Sequence, residues 1–184
     1  RLDRLVNELL DISRIAGGQL QLKLEPVRLG EVVDDVVGRL EEGREILQSG
    51  SRLAMHGDWG ISGHWDRLRL DQVITNLLSN ALKYGEGKPV ELTIRAEGTE
   101  AVIAVSDQGM GIEPDNLHRI FGRFERAVSA RQYGGLGLGL YIASQIIAAM
   151  DGTIEVASTL GQGSTFTVRL PLAPALPSPV QEAP

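Results

Sequence analysis

Apolar residues along this chain follow two rhythms, and the switches between them mark its elements. Leu2, Leu5, Leu9, Ile12 and Ala16 alternate steps of three and four, the seam of a helix that Gly17-Gly18 stops. "QLQLKLEPV" (19–27) alternates strictly and predicts a strand, while 30–48 predicts a helix. In the helix expected over 66–84, Leu70, Val73, Ile74, Leu77, Leu78, Ala81 and Leu82 make one apolar face. "VELTIRAEG" and "EAVIAVSDQG" then read as two strands across a short turn. A helix at 138–150 precedes "TIEVAST" and "STFTVRLPL", a closing pair around "LGQG". From Pro171 onward lie five of the eight prolines and no periodicity, so disorder is expected at 173–184. The chain thus divides into a helix end at 1–18, a mixed domain at 19–172 and a tail.

Composition narrows the possible roles. With 184 residues, 42% of them hydrophobic, the chain can bury one substantial core. A formal charge of −6 argues against a nucleic-acid or anionic-membrane surface as its partner. There is no cysteine, which excludes disulfides and thiolate metal sites. No apolar run is long enough to span a bilayer, and no signal-peptide pattern opens the chain. The heptad pattern is already running at Arg1, which predicts a piece of a longer protein.

The candidate chemistry sits in one helix and three glycine turns. Gln72, Asn76, Asn80 and Lys83 form a polar line beside the apolar face of the 66–84 helix. Asn is a poor helix former because its amide competes for the backbone, so two on one line need a reason. "SDQGMGI" (106–112) sets Asp107 at a strand exit with Gly109 and Gly111 behind it. "YGGLGLGL" (133–140) leads into a helix N-terminus, a natural place for phosphate. "GQGSTF" (161–166) ends in two hydroxyls at the mouth of a strand. Each turn alone is commonly just a turn. A dinucleotide-binding reading fails because no strand leads directly into "GGLGLGL".

The ordered set resembles the ATP-binding domain of bacterial sensor histidine kinases, which share the Bergerat fold with the gyrase-type ATPases. "NLLSNALKYG" resembles the N box, "DQGMGI" the first glycine box, "IFGRFER" the F box, "GGLGLGL" the second glycine box and "GQGSTF" the last. The resemblance is dense over 55–172. It implies an α+β fold, a two-layer α/β sandwich, preceded by part of a helical dimerisation bundle that "RLDRLVNELLDISRIAGGQL" resembles. It also implies ATP and Mg²⁺ as cofactors. Asn80, with Asn76, would ligate the metal, Lys83 would reach the phosphates and Tyr84 would flank the nucleotide. Asp107 would accept from the adenine amino group, with Gly109, Gly111 and Ile112 beside it. Gly135, Leu136, Gly137, Leu138, Gly139 and Leu140 would wrap the triphosphate, and Thr165 would support the base near Asp107. Residues 113–134 would form an ATP lid. In it Phe121 and Phe124 would pack the lid helix, with Phe124 close to the nucleotide, while Arg123 and Arg126 would approach the phosphates.

Position 76 helps to choose the reaction. In the gyrase-type ATPases a Glu stands four residues before the magnesium Asn and activates water. An amide cannot serve as that base. The expected reaction is therefore γ-phosphoryl transfer to a histidine on the bundle, with little hydrolysis. None of His56, His64 or His118 lies in an acceptor motif, and surface or structural roles are expected for all three. The implied partners are that bundle, a response-regulator receiver domain and a second copy in the full-length protein, and the implied location is cytoplasmic, with a parent open to membrane anchoring. Leu136, Glu125 and "AMDG" (149–152) depart from the usual boxes. The alternatives weighed are a gyrase-type ATPase and a regulatory pseudokinase.

Overall fold

The structure is a computed structural model that describes residues 11–13, 15, 17, 20–124 and 137–172. Seven strands and five helices are described: β1 (Glu25–Arg28), α1 (Leu29–Glu42), α2 (Glu45–Ser49), β2 (Leu53–Gly57), β3 (Ser62–Trp65), α3 (Arg67–Tyr84), β4 (Val90–Glu97), β5 (Glu100–Asp107), α4 (Pro114–Leu117), α5 (Gly139–Ala149), β6 (Thr153–Thr159) and β7 (Gly163–Pro171). A five-stranded sheet runs in the order β2-β4-β5-β7-β6, antiparallel except for the β2–β4 pair. β1 and β3 form a separate antiparallel ribbon. Helices α1, α3 and α5 pack side by side, with α3 against β5 and α5 against β6. This is the expected two-layer α/β sandwich.

Local chemistry explains where α3 begins and which face it buries. Asp66 caps α3 by accepting the Arg69 N–H at 3.1 Å, an interaction worth about 1 kcal/mol. The apolar face read from the sequence is buried along its whole length, with Leu70, Ile74, Leu77 and Leu78 at 0% exposure. Each such side chain contributes roughly 1.5–3 kcal/mol relative to an exposed one.

Two boundaries differ from expectation. The helix expected over 30–48 is two helices, because Arg44 adopts a left-handed backbone (φ 59°) after Gly43 and turns the chain. The strand expected over 19–27 pairs only from Glu25 onward. Before it, the Lys23 N–H is taken by the second Asp66 carboxylate oxygen at 2.8 Å, so this part has packing without a ladder. Leu20 and Leu22 rest on the core while Leu24 is exposed.

Residues 11–13 and 15 are helical, in line with the predicted helix end. Asp11 is buried there, where it accepts from Arg69 Nη1 at 2.8 Å and Gln72 Nε2 at 2.7 Å. Gln72 therefore belongs to this junction. The rest of the heptad seam and the 173–184 tail lie outside the described residues. Among those described, no helix is long and apolar enough to cross a membrane.

Candidate nucleotide site

The inward face of the sheet is apolar in every row except one. The pairings Leu92–Val105–Phe166–Val156 and Ile94–Ile103–Val168–Ile154 run straight across four strands. The last row, toward the C-terminal end of β5, is Val90–Asp107–Ser164–Ser158. Directly paired residues share a face, so one carboxylate and two hydroxyls meet at the margin of the core. Asp107 and Ser164 are each 7% exposed.

Close backbone approach holds this row. Asp107 Oδ1 accepts the Gly109 N–H at 2.8 Å, and the Ser164 N–H also bonds the carboxylate. Burial pushes the Asp107 carboxyl above its ordinary range, opposed by those two N–H groups and by the Lys88 charge. A Cβ on Gly109 would lie 1.8 Å from the Tyr84 carbonyl oxygen, and one on Gly163 2.0 Å from the Asp107 carbonyl oxygen. Neither position admits a side chain. The Met110 N–H donates to the Tyr84 carbonyl at 3.2 Å, and the Gly161 N–H donates to the Met110 carbonyl at 2.7 Å. The loop after Asp107 is thus clamped between the end of α3 and the β6–β7 turn.

The polar line of α3 meets this loop from the helical layer. Asn76 is buried, and its Nδ2 donates to the Gly139 carbonyl at 3.2 Å in the first turn of α5. Asn80, one turn on, is half-buried and makes no side-chain hydrogen bond among the described residues. Lys83 lies over the Tyr84 ring at 4.8 Å. Gly137 (φ 72°) leads into α5, whose N-cap, Leu138, contributes no side-chain hydrogen bond. Among the described residues no side chain caps the first N–H groups of α5. A buried carboxylate beside a hydroxyl, a half-buried amide and a helix N-terminus without a side-chain cap combine acceptors with donors, a set that fits an adenine nucleotide. Should Mg²⁺ accompany the nucleotide, the half-buried Asn80 amide would offer it an oxygen.

Several expected residues lie elsewhere. Thr165 is one residue off the row. It pairs with Ser106 on the opposite face, hydroxyl to hydroxyl at 2.8 Å, so it is not beside Asp107. The position beside Asp107 belongs to Ser164, which the strand's period of two would have identified. Arg123 stacks over the Tyr141 ring at 5.0 Å. Phe121 packs edge-on to Phe166 at 6.4 Å, while Phe124 is exposed with φ 60°. Leu138 is buried, while Ile112 and Leu140 pack at the edge of the core. Arg126, Gly135, Leu136 and Glu125 lie outside the described residues, as do 125–134 of the expected lid.

Residues 65–174 match the family described as histidine kinase-, DNA gyrase B- and HSP90-like ATPase. The chain belongs to that family. Among curated relatives, the circadian input-output histidine kinase CikA of Synechococcus elongatus is 35% identical over 91% of this chain and 23% of its own length. The sensor protein SrrB of Staphylococcus aureus is 34% identical over 93% of this chain and 30% of its own. The chain thus spans less than a third of these relatives. Full-length ShkA, solved in complex with AMPPNP, superposes with a TM-score of 0.81 at 32% identity, covering 95% of this chain and 36% of ShkA. Acinetobacter baumannii AdeS, a histidine kinase, gives 0.76 at 26% identity, covering 93% of this chain and 78% of AdeS. Within the family, these similarities place the chain with the histidine-kinase catalytic domains.

Proposed function

We propose that this chain binds ATP with Mg²⁺ and transfers the γ-phosphoryl group to a histidine on a dimerisation bundle. Asp107 and Ser164 hold the adenine amino group, Asn80 supplies an oxygen to Mg²⁺, and Lys83 and the N-terminus of α5 hold phosphate oxygens. Bound Mg²⁺ would offset the phosphate charge. In the transfer, the acceptor imidazole nitrogen forms a bond to the γ-phosphorus, the bond to the β,γ-bridging oxygen breaks, and ADP leaves. Asn76 is the observation that favours transfer over hydrolysis. It stands where a water-activating base would be needed, it is an amide, and its nitrogen is held by the Gly139 carbonyl.

The acceptor would be none of this chain's own histidines. His56, His64 and His118 are all exposed, on β2, on β3 and just after α4. The bundle, a second copy of the full-length protein and a receiver domain are the partners this reading requires, in the cytoplasm. Incubation with labelled ATP and a separate bundle carrying the acceptor histidine tests it. Acid-labile, base-stable label on the bundle alone is expected, and Asn80→Ala should remove the magnesium dependence of ATP binding. Label on the chain itself, or steady-state hydrolysis without transfer, would overturn the reading.

A further inference from the structure

The polar row does not end at Ser164, and its third member determines which way the second one faces. Ser158 Oγ lies 2.8 Å from the Gly163 carbonyl oxygen, 2.9 Å from the Ile112 nitrogen and 3.0 Å from Ser164 Oγ. A carbonyl cannot donate, so the one Ser158 proton goes to Gly163. The Ile112 N–H donates to Ser158. With the Ser158 proton already committed, the contact between the two serines requires Ser164 to be the donor. The Ser164 proton is then used up inside the protein, and Ser164 can only accept from anything beside Asp107. Asp107, when ionised, is likewise an acceptor with no proton to give.

We propose that Ser158 is a positioning residue for base specificity, acting through Ser164 without touching the nucleotide. It turns the base-side wall into two acceptors, Asp107 and Ser164, a wall that suits an amino group and repels a carbonyl oxygen. The same hydroxyl holds Ile112, and so couples the loop after Gly111 to the β6–β7 turn. The inference rests on the adenine reading of Asp107. Removing the Ser158 hydroxyl frees the Ser164 proton, which can then turn outward and donate. An oxygen at the 6-position of a purine would become acceptable where it was previously rejected.

The test compares binding of ATP and inosine triphosphate, which carries a carbonyl oxygen where adenine has its amino group, by calorimetry. Ser158→Ala, and Ser158→Cys as a variant of nearly the same size with a weak donor, should lower the ATP-over-inosine preference roughly tenfold, the scale of one polar match. Ser158→Thr, which keeps the hydroxyl, should retain the preference. In a Ser164→Ala background, Ser158→Ala should change the preference no further. Hydrogen exchange at the Ile112 amide should quicken in Ser158→Ala and stay slow in Ser158→Thr. If Ser158→Ala and Ser158→Cys weaken both nucleotides equally, Ser158 merely supports the loop and the proposal fails. If the unmodified chain binds both nucleotides alike, the adenine reading of Asp107 fails and the proposal with it.

Discussion

Two hydroxyl pairs start from adjacent residues of β7, Ser164 and Thr165, and reach to opposite neighbouring strands. On the inward face Ser164 bonds Ser158 beside the buried Asp107. On the outward face Thr165 bonds Ser106 at 2.8 Å, flanked across the sheet by Glu91 and Ala157. Side-chain types and hydrogen-bond lengths are nearly the same. What separates them is the period of two, which places one pair at the margin of the core with a carboxylate and leaves the other on the open face. A hydroxyl next to a glycine turn therefore says little by itself. Which side of the sheet it takes decides whether it can read a ligand.

The largest effect should come from forcing the inward row apart. Gly163→Ala puts a methyl group 2.0 Å from the Asp107 carbonyl oxygen at a backbone φ of 103°. We expect a stability loss of roughly 2–4 kcal/mol in denaturant titration, with nucleotide binding lost. Gly161→Ala, in the same turn but with open space around it, should cost only about 1 kcal/mol for its positive φ. Similar losses in the two variants would mean that the close approach at Gly163 is not what holds the row.

Asp107→Asn should separate binding from folding. Adenine affinity should fall roughly tenfold or more, because an amide presents a donor where a carboxylate only accepts. Stability at neutral pH should hold or rise, because burial disfavours the ionised carboxyl. Parallel calorimetry and thermal melts check both, and a large fall in melting temperature would contradict the assigned cost.

The same carboxyl makes binding and stability respond to pH in opposite directions. The folded pKa is raised, so folding favours the protonated acid. Its contribution to stability is greatest below the unfolded value and declines as pH rises through the folded one. Adenine binding should instead weaken as pH falls through that raised folded value, which lies above the ordinary aspartate range. Binding measured across this interval should be flat in Asp107→Asn, and an unchanged slope would mean that another group titrates.

The smallest effects set the two hydroxyl pairs directly against each other. Ser164→Ala should weaken ATP binding several-fold, on the scale of one hydrogen bond of about 1 kcal/mol. Thr165→Ala should leave ATP affinity unchanged and cost stability about 0.5–1 kcal/mol through the lost Ser106 bond. The reverse ranking would put the base on the outward face.

The sequence by itself determined the elements that carry their own periodicity and caps. The burial of α3 follows from its apolar steps and Asp66, and the β4–β5 and β6–β7 pairs follow from alternation between turn residues. The glycine turns, Asp107 and the two asparagines were legible for the same reason, since residue type and spacing are local properties. The tertiary structure alone decided what depends on contacts between distant segments. It broke the 30–48 helix at Arg44, committed the Lys23 N–H to Asp66 and drew Gln72 to Asp11. It tied Asn76 to Gly139, 63 residues away, and spread Arg123 over Tyr141. Above all it set the register of β7 against β5 and β6, and so put Ser164 and Ser158 in the row of Asp107 and turned Thr165 away. Alternation with Phe166, Val168 and Leu170 already puts Ser164 on the apolar face of its strand, but nothing local says which residues of the partner strands stand beside it, because register is set by pairing between distant segments.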